Sequence, residues 1–358
     1  MSGIGKSERA TQIRIIALFH DTLAYRYLGN WADRANSNIE ATLLTPWLAA
    51  RGHSPAQINR ALDPLTRAAT NPTRSLYDNN QAVYSLLRYG VKVKTEAGQN
   101  TETIWLVDWA NPAANDFALA EEVTLRGGLE RRPDLVLYLN GLAVGVIELK
   151  RSAVSIGDGI RQLISNQAAE FNAGFFSTAQ IVLAGNDTEG LRYGSICTPE
   201  KMYLAWKEDE ADNDGYKLDK YLGKLCGKAR LLELLHDFVL FDGGVKKLPR
   251  PHQYFAIKAA QESARAYQGG VIWHTQGNGK SIVMVLLARW ILENKPRARV
   301  LILTDRDELD KQIARVFTDS GEAIHRTESG GRPDGPAGPG HAAPALLPGA
   351  QVRPPRRR

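Results

Sequence analysis

Hydrophobic positions in the first half of the chain change from helical spacing to strand-like spacing. Residues 8–25 and 37–51 have apolar residues on one helical face. From residue 83 to residue 150 the apolar residues follow a strand pattern. This stretch ends in RPDLVLYLNGLAVGVIELKRS (132–152), which predicts two apolar strands joined at Asn140-Gly141.

A helix and a further strand follow this hairpin. Residues 156–175 have helical spacing, and AQIVLAG (179–185) predicts a strand. We therefore expect one α/β domain over residues 1–240, with a mixed sheet flanked by helices. The polar, lysine-rich stretch 205–250 is interpreted as a solvated connecting face, and a DNA-tracking surface is the alternative.

A new apolar pattern begins near residue 252 and predicts a second domain over residues 241–328. GVIWHTQGNGKSIVMVLLARWILEN (270–294) predicts a strand, a glycine-rich loop and a helix, and residues 299–317 repeat the strand–helix order. This order is typical of the start of a RecA-like sheet. We find no D-E-x-H or D-E-A-D-like box and no second lobe, so we do not expect useful ATP hydrolysis.

The last segment, residues 329–358, differs in composition. Seven of the 17 prolines lie in residues 331–358, together with few residues that could build a core. Such a segment buries too little apolar surface to offset its ordering entropy, so we expect it to be disordered. Our interpretation is that it is out-of-frame sequence or the product of a truncation.

Composition narrows the class of protein. Apolar residues make up 43% of the chain and charged residues 23%, as in soluble globular proteins. No membrane-length apolar stretch and no secretory signal is found, which predicts a cytoplasmic protein. The net charge is +6, but the tail after residue 330 carries +4 of it, so bulk charge does not indicate nucleic-acid binding.

The apolar hairpin carries Asp134, Glu148 and Lys150, and burying such charges without partners is costly. Two carboxylates on adjacent strands would supply the oxygen ligands that Mg²⁺ prefers, and a nearby ammonium would stabilise developing phosphorane charge. Glu148 and Lys150 are two residues apart and share a strand face. The pattern therefore predicts a phosphodiester-cleaving centre; the alternative is a surface hairpin whose strand end reaches solvent.

Strand register tests this hypothesis. A plain two-residue turn at Asn140-Gly141 would place Asp134 opposite Ile147, with Glu148 on the other face. The metal hypothesis requires a shift by one residue, from a bulge at Gly141 or elsewhere. We therefore predict that the strands are not joined by a simple two-residue type I′ turn.

The glycine-rich loop of the second domain predicts nucleotide binding. Lys280-Ser281 stands at the start of the predicted helix, where a lysine reaches the β/γ-phosphates and a serine hydroxyl binds Mg²⁺. His274 replaces the first glycine of the usual G-x-x-x-x-G-K-[ST] pattern.

With both motif groups in this order, the sequence resembles the restriction (R) subunit of type I restriction–modification enzymes. The resemblance covers about residues 8–328 and includes YRYLGNWADRANSNIE, RRPDLVLYLNG, GVIELKRS, AGNDTEGLRYG, PRPHQYFA, WHTQGNGKS and LTDRDELDKQI. It implies a PD-(D/E)XK nuclease domain followed by a superfamily 2 helicase motor, here incomplete. It also implies Mg²⁺ and ATP as cofactors, double-stranded DNA as substrate, and the methyltransferase (M) and specificity (S) subunits as partners.

The resemblance also assigns roles to residues. Asp134, Glu148 and Lys150 match the nuclease core, with Asp134 and Glu148 as the metal ligands. Gln162, twelve residues after Lys150, matches the glutamine of the helix that often follows such centres. Glu40 resembles the acidic residue that sometimes completes these sites.

In the motor segment, Gln253 matches the adenine-reading glutamine. Without the resemblance, its sequence context predicts a surface residue on a helix. The residues that match the phosphate loop are Gly277, Asn278, Gly279, Lys280 and Ser281, the last as a Mg²⁺ ligand.

The resemblance predicts a type I site-specific deoxyribonuclease, ATP-dependent in the full-length family. Two alternatives stay open: a non-catalytic remnant that binds DNA or ATP, and a stand-alone PD-(D/E)XK nuclease.

Overall fold

The computed structural model describes residues 7–94, 100–208, 215–304, 307–319, 325–326 and 345–348. The chain forms two compact units, with the division between Val239 and Leu240. Among the described residues, no helix is both long enough and apolar enough to span a membrane.

The first unit is an α/β structure. Its helices are α1 (Glu8–Ala17), α2 (Ala41–Ala49), α3 (Pro55–Thr70), α4 (Leu76–Tyr89), α5 (Ile156–Asn166), α6 (Lys217–Cys226) and α7 (Lys228–Asp237). Its strands are β1 (Arg26–Asn30), β2 (Val91–Val93), β3 (Glu102–Ile104), β4 (Phe117–Glu121), β5 (Leu135–Leu139), β6 (Leu142–Leu149), β7 (Ile181–Asn186), β8 (Gly190–Gly194) and β9 (Leu204–Ala205).

A mixed sheet forms the centre of this unit, in the order β1-β4-β5-β6-β7-β8-β9. The pairs β1–β4 and β6–β7 are parallel, and the remaining neighbours are antiparallel. Strands β4 to β7 are buried along their whole length, because helices cover the sheet. This confirms the predicted α/β class and mixed sheet.

Helix α5 shows how the sequence builds this packing. Ser155 precedes the helix, and its side chain accepts a hydrogen bond from the Gly157 N–H, which satisfies one free donor of the first turn. Ile156, Ile160 and Leu163 recur at helical spacing and are buried in one cluster with apolar residues of β5, β6 and β7. Burial of each such side chain contributes about 1.5–3 kcal/mol.

The segment before β2 departs from the prediction. Residues 76–89 form α4, although the strand pattern was predicted to begin at residue 83. The Ser75 side chain caps the helix by accepting from the Asp78 N–H, and Val83 and Leu87 are buried one turn apart. Short apolar runs cannot distinguish a buried helix from a strand by spacing alone, which explains the error.

The lysine-rich stretch also contains more structure than a connecting face. Helices α6 and α7 each bury a leucine face, formed by Leu218, Leu222 and Leu225 in α6 and by Leu231, Leu232, Leu234 and Leu235 in α7. Their lysines occupy the remaining positions, as expected for amphipathic helices that pack on a core.

The second unit contains β10 (Leu240–Asp242), β11 (Val245–Lys247), α8 (Pro251–Arg265), α9 (Lys280–Asn294), β12 (Leu301–Thr304), α10 (Asp307–Asp319), β13 (His325–Arg326) and β14 (Ala345–Pro348). Strand β14 pairs in parallel with both β12 and β13. The segment 345–348 was predicted to be disordered and instead forms a strand; residues 329–344 and 349–358 of that tail lie outside the described residues.

The strand predicted before the glycine-rich loop is not formed. Residues 270–274 lie in no strand, and Val271 and Trp273 are each 88% exposed. A parallel strand in an α/β sheet is stabilised by neighbours and by helices on both faces. The apolar composition of residues 270–274 is therefore not sufficient for a strand to form there.

Candidate active site

The hairpin turn sets the geometry of the site. Asn140 has φ 53° and Gly141 has φ 88°, the two positive values that a type I′ turn requires. Leu139 pairs with Leu142, and Tyr138 with Ala143. The prediction that the strands avoid a two-residue type I′ turn is therefore wrong.

The required register shift comes from a bulge inside β6. After Tyr138 pairs with Ala143, the next pair is Leu137 with Gly145, which leaves Val144 as an extra residue. The shifted ladder continues to Leu135 opposite Ile147. One further step places Asp134 opposite Glu148 on the same face of the sheet. The shift by one residue that the metal hypothesis requires is thus present, produced by the bulge in β6 rather than by the turn.

Asp134, Glu148 and Lys150 converge at this end of the hairpin. The Asp134 Oδ2 atom accepts a hydrogen bond from the Leu149 N–H at 2.6 Å. The Lys150 Nζ atom donates to Glu148 Oε1 at 2.8 Å. Only 9% of Asp134, 1% of the Glu148 side chain and 12% of the Lys150 side chain are exposed, so these charges interact with little screening by water.

Burial dominates the electrostatics of the two carboxyl groups. Burial raises the pKa of Asp134 to about 6, although the Leu149 N–H and Lys150 act in the opposite direction. Burial, and then the charge of Asp134, raise the pKa of Glu148 to about 8. Burial lowers the pKa of Lys150, but the charge and hydrogen bond of Glu148 outweigh it, so the net pKa is raised.

One atom of this cluster has no partner. Glu148 Oε2 is fully buried and has no hydrogen bond within the described part of the chain. A buried carboxylate oxygen without a donor is costly unless a proton or a cation occupies it. The carboxylates of Glu8, Asp134 and Glu148 do not all lie within 4.8 Å of one another. Two carboxylates and one orphaned oxygen fit Mg²⁺, which takes one or two protein carboxylates and keeps several waters.

Helix α1 contributes residues that the sequence did not indicate. Gln12 is buried, and its Nε2 atom lies 3.3 Å from the Asp134 backbone oxygen and 3.0 Å from Glu122 Oε1. Glu8, in the first turn, lies with Oε1 4.0 Å from Lys150 Nζ. The spacing of α1 predicts a buried face, but nothing in it shows that this face meets the hairpin.

Glu40 does not join the site, so this prediction is wrong. Its N–H donates to the Gly141 oxygen at 2.8 Å, which places it at the turn end of the hairpin. Glu148 is seven residues after Gly141, about 20 Å away at strand spacing with one bulge. The Glu40 carboxylate accepts from Arg34 and from the Ser37 N–H, which gives it a structural role.

Gln162 lies on α5 near the site but does not bond to it. Gly159, one turn earlier, contacts the site: a Cβ there would lie 3.4 Å from Lys150 Cγ and 3.7 Å from Glu148 Cγ. Gln162 shares this helix face and is half-buried. No described residue of the site forms a hydrogen bond with its side chain, so its role stays a prediction.

In the second unit, the glycine-rich loop runs directly into α9. Gly279 precedes the helix with φ 71°, a left-handed conformation that favours glycine, and a Cβ there would lie 2.4 Å from Gln253 Nε2. Lys280 begins the helix, and its Nζ atom donates to the Thr275 oxygen at 3.2 Å. Ser281 follows within the first turn and is half-buried.

Gln253 is fixed to this loop. It is buried, its Oε1 atom accepts from the Arg250 N–H at 2.9 Å, and its Nε2 atom donates to the Asn278 oxygen at 2.9 Å. The structure thus brings the residues predicted to bind nucleotide together in one segment. Recognition of adenine by Gln253 stays a prediction.

The sequence of this α/β unit, which carries the buried carboxylate pair and the lysine, matches a known protein family. Residues 5–201 match the family model described as type I restriction enzyme R protein N terminus, and residues 252–332 match the SWI2/SNF2 ATPase model. The chain belongs to the type I restriction enzyme R subunit family.

Individual relatives agree with this family. The type I restriction enzyme HindI endonuclease subunit of Haemophilus influenzae is 30% identical over 308 residues, which cover 78% of this chain and 29% of the relative. The SauCOLORF180P endonuclease subunit of Staphylococcus aureus is 24% identical over 208 residues, which cover 57% of this chain and 22% of the relative. The chain thus spans less than a third of the length of these relatives.

Proposed function

We propose that this chain carries the DNA-cleaving centre of a type I restriction enzyme, a Mg²⁺-dependent endonuclease acting on double-stranded DNA. The observation that carries the proposal is the convergence of Asp134, Glu148 and Lys150, with Glu148 Oε2 buried and unpartnered. Membership of the R subunit family supports the choice of DNA as substrate. The two relatives are endonuclease subunits of type I restriction enzymes.

Asp134 and Glu148 would hold the metal ion. Mg²⁺ bound there supplies a Lewis acid for the phosphoryl oxygen and a bound water of lowered pKa. Asp134 is oriented by the Leu149 N–H, so its second oxygen stays available. Lys150 keeps a positive charge beside the carboxylates, where it stabilises the negative charge that develops on the phosphorus oxygens.

The proposal extends to the remaining parts of the system. The loop from Gly277 to Ser281 binds ATP, with Ser281 contributing to a second Mg²⁺ site, and the SWI2/SNF2 match supports this. The chain works with the M and S subunits, because type I restriction enzymes combine cleavage with methylation and site recognition. The proposed location of this assembly is the cytoplasm.

The test is cleavage of supercoiled plasmid DNA by the full chain with and without Mg²⁺. We expect Mg²⁺-dependent nicking or cutting, and at least about 100-fold slower cleavage by Asp134→Asn, Glu148→Gln and Lys150→Ala. Asp63→Asn is the matched control, because Asp63 is an exposed carboxylate on α3.

Cleavage that persists in Lys150→Ala, or a folded wild-type chain that neither cuts nor binds Mg²⁺, would contradict the proposal. Calorimetric titration with Mg²⁺ gives the second readout. We expect binding by the wild type and loss of binding by Glu148→Gln. A chain that binds Mg²⁺ but does not cut would support the non-catalytic alternative.

A further inference from the structure

A short loop next to the carboxylate pair carries charge and an apolar tip. Residues 126–132, RGGLERR, connect β4 to β5 and are called the arginine loop below. Arg132 is separated from Asp134 only by Pro133, so its backbone lies within about 7 Å of the site. Apart from the half-buried Arg131, every residue of this loop is exposed.

The arginine loop is held by the backbone of a neighbouring turn. The Gly128 N–H donates to the Phe171 oxygen at 2.5 Å, and the Leu129 N–H donates to the Glu170 oxygen at 3.0 Å. A Cβ on Gly128 would lie 2.1 Å from the Glu170 oxygen, so the contact requires glycine. A loop fixed in this way presents its side chains without a large ordering cost on binding.

Its arginines are available to an anionic partner. The Arg131 guanidinium stacks 4.0 Å from the centre of the Phe171 ring, and no described carboxylate lies within ion-pair distance of it. Arg126 is 3.8 Å from Glu130, and Arg132 is 3.5 Å from Glu122. These two exposed pairs contribute about 0–1 kcal/mol each, which phosphates can readily replace.

The tip and flank of the loop complete a binding surface. Leu129 lies at the tip, between Gly128 and Glu130, and is 61% exposed. A groove of about 500 Å³ runs beside the loop and is lined by the polar side chains of Asn36, Asn38, Arg126 and Asn172. Asn36 Oδ1 is buried there and has no hydrogen-bond partner among the described residues.

We propose that the arginine loop binds duplex DNA beside the cleavage centre. Arg126, Arg131 and Arg132 contact backbone phosphates that flank the scissile bond, and Leu129 packs into a groove of the duplex. The sign of the charge selects a polyanion, and an apolar tip between arginines suits insertion between base steps. This inference rests on the proposed function, because it takes the same DNA as its ligand.

The test measures DNA binding in EDTA, so it does not depend on metal chemistry. The probe is a short fluorescent DNA duplex, and anisotropy of the full chain is recorded over a series of salt concentrations. We expect the triple variant Arg126→Ala, Arg131→Ala, Arg132→Ala to lower the slope of log K against log salt by about 3. The matched control is Arg60→Ala, Arg67→Ala, Arg74→Ala, which removes the same charge from exposed positions on and after α3.

Leu129→Ala tests the apolar contact. We expect about five- to tenfold weaker binding with an unchanged salt slope, because no charge is removed. Met202→Ala, at another exposed apolar position, serves as control. An unchanged slope in the arginine triple, or an equal effect in its control, overturns the proposal; wild-type affinity in Leu129→Ala overturns groove insertion. Cleavage lost on Lys150→Ala with DNA binding intact separates failure of the loop from failure of the nuclease.

Discussion

At the scale of single residues, Glu148 has the most strongly raised pKa among the glutamates that the structure describes. Its pKa of about 8 means that the metal-free site holds a proton at neutral pH, because burial outweighs the adjacent Lys150. Metal binding must displace that proton, so affinity for Mg²⁺ should rise with pH. Burial therefore raises the free-energy cost of the ionised Glu148 carboxylate, and a bound cation lowers that cost.

This predicts a characteristic pH dependence of stability. The pKa of Glu148 is higher in the folded chain than the ordinary 4.5, so its contribution to stability is complete below that value and is lost as pH rises through about 8. Asp134 acts with the same sign up to about 6. Without Mg²⁺, the free energy of unfolding should fall by a few kcal/mol relative to Glu148→Gln between pH 5 and pH 8.5.

Urea unfolding at several pH values, with and without Mg²⁺, measures this effect. Added Mg²⁺ should restore stability to the wild type above pH 8 and leave Glu148→Gln unchanged. Asp63→Asn, at an exposed position, should follow the wild type. Parallel pH profiles for wild type and Glu148→Gln would show that the carboxyl is not perturbed in this way.

Glu40 and Glu8, two acidic residues outside the hairpin, show which contacts near the site could not be predicted from the sequence. Glu40 resembles an acidic residue on an early helix, yet it binds Arg34 at the far end of the hairpin. Glu8 reaches Lys150 instead. Which helix covers which end of a strand depends on tertiary packing, and one sequence carries no direct signal of it.

At the scale of elements, the start of α9 combines the features needed for phosphate binding. Its first residues follow a loop with positive φ at Gly277 and Gly279, and a helix N-terminus attracts anions. In the absence of nucleotide, Lys280 donates to Thr275, a weak contact that a phosphate can replace.

We therefore predict that Lys280→Ala weakens binding of a fluorescent ATP analogue by about tenfold or more, because it removes a charge-assisted hydrogen bond. Fluorescence titration of the full chain measures the dissociation constants. Lys295→Ala, at the opposite end of α9, should bind like the wild type. Equal affinities for wild type and Lys280→Ala, or no saturable binding, would remove this loop from the proposed nucleotide site.

At the scale of the whole molecule, the division at Val239 separates two units of different character. The first unit has an extensive buried core on a mixed sheet, whereas in the second unit β12 and β13 pair only with the short strand β14 among the described residues. A unit that buries its own core folds without its neighbour.

Residues 1–239 should accordingly unfold cooperatively by themselves. We expect one cooperative transition in urea, with a near-ultraviolet spectrum typical of fixed tryptophans such as the buried Trp206. Circular dichroism and intrinsic fluorescence of this fragment provide the measurement. Non-coincident transitions, or binding of a hydrophobic dye to the native fragment, would argue that the second unit is needed for folding.

Much of the first unit could be predicted from the sequence. The hairpin, α5 and β7 have strong spacing and turn signals in the sequence. The site residues Asp134, Glu148 and Lys150 could be predicted because they are charged positions on that apolar hairpin. The helical state of residues 83–89 could not be predicted, because short apolar runs suit either structure. In the second unit, the exposed segment 270–274 has strand composition without neighbours, and composition does not supply a sheet.

The bulge at Val144 has a consequence for how genes of this family should be read. Deleting that single codon would leave the Asp, Glu and Lys codons intact and would leave five residues on each side of the two-residue turn, so a ladder without a bulge would still pair the two acids on one face of the sheet. The alignment of the two acids therefore depends jointly on the number of codons between them and on whether the strand carries a bulge. A homologous gene with every motif letter present and this codon missing should encode a regular hairpin with an aligned carboxylate pair.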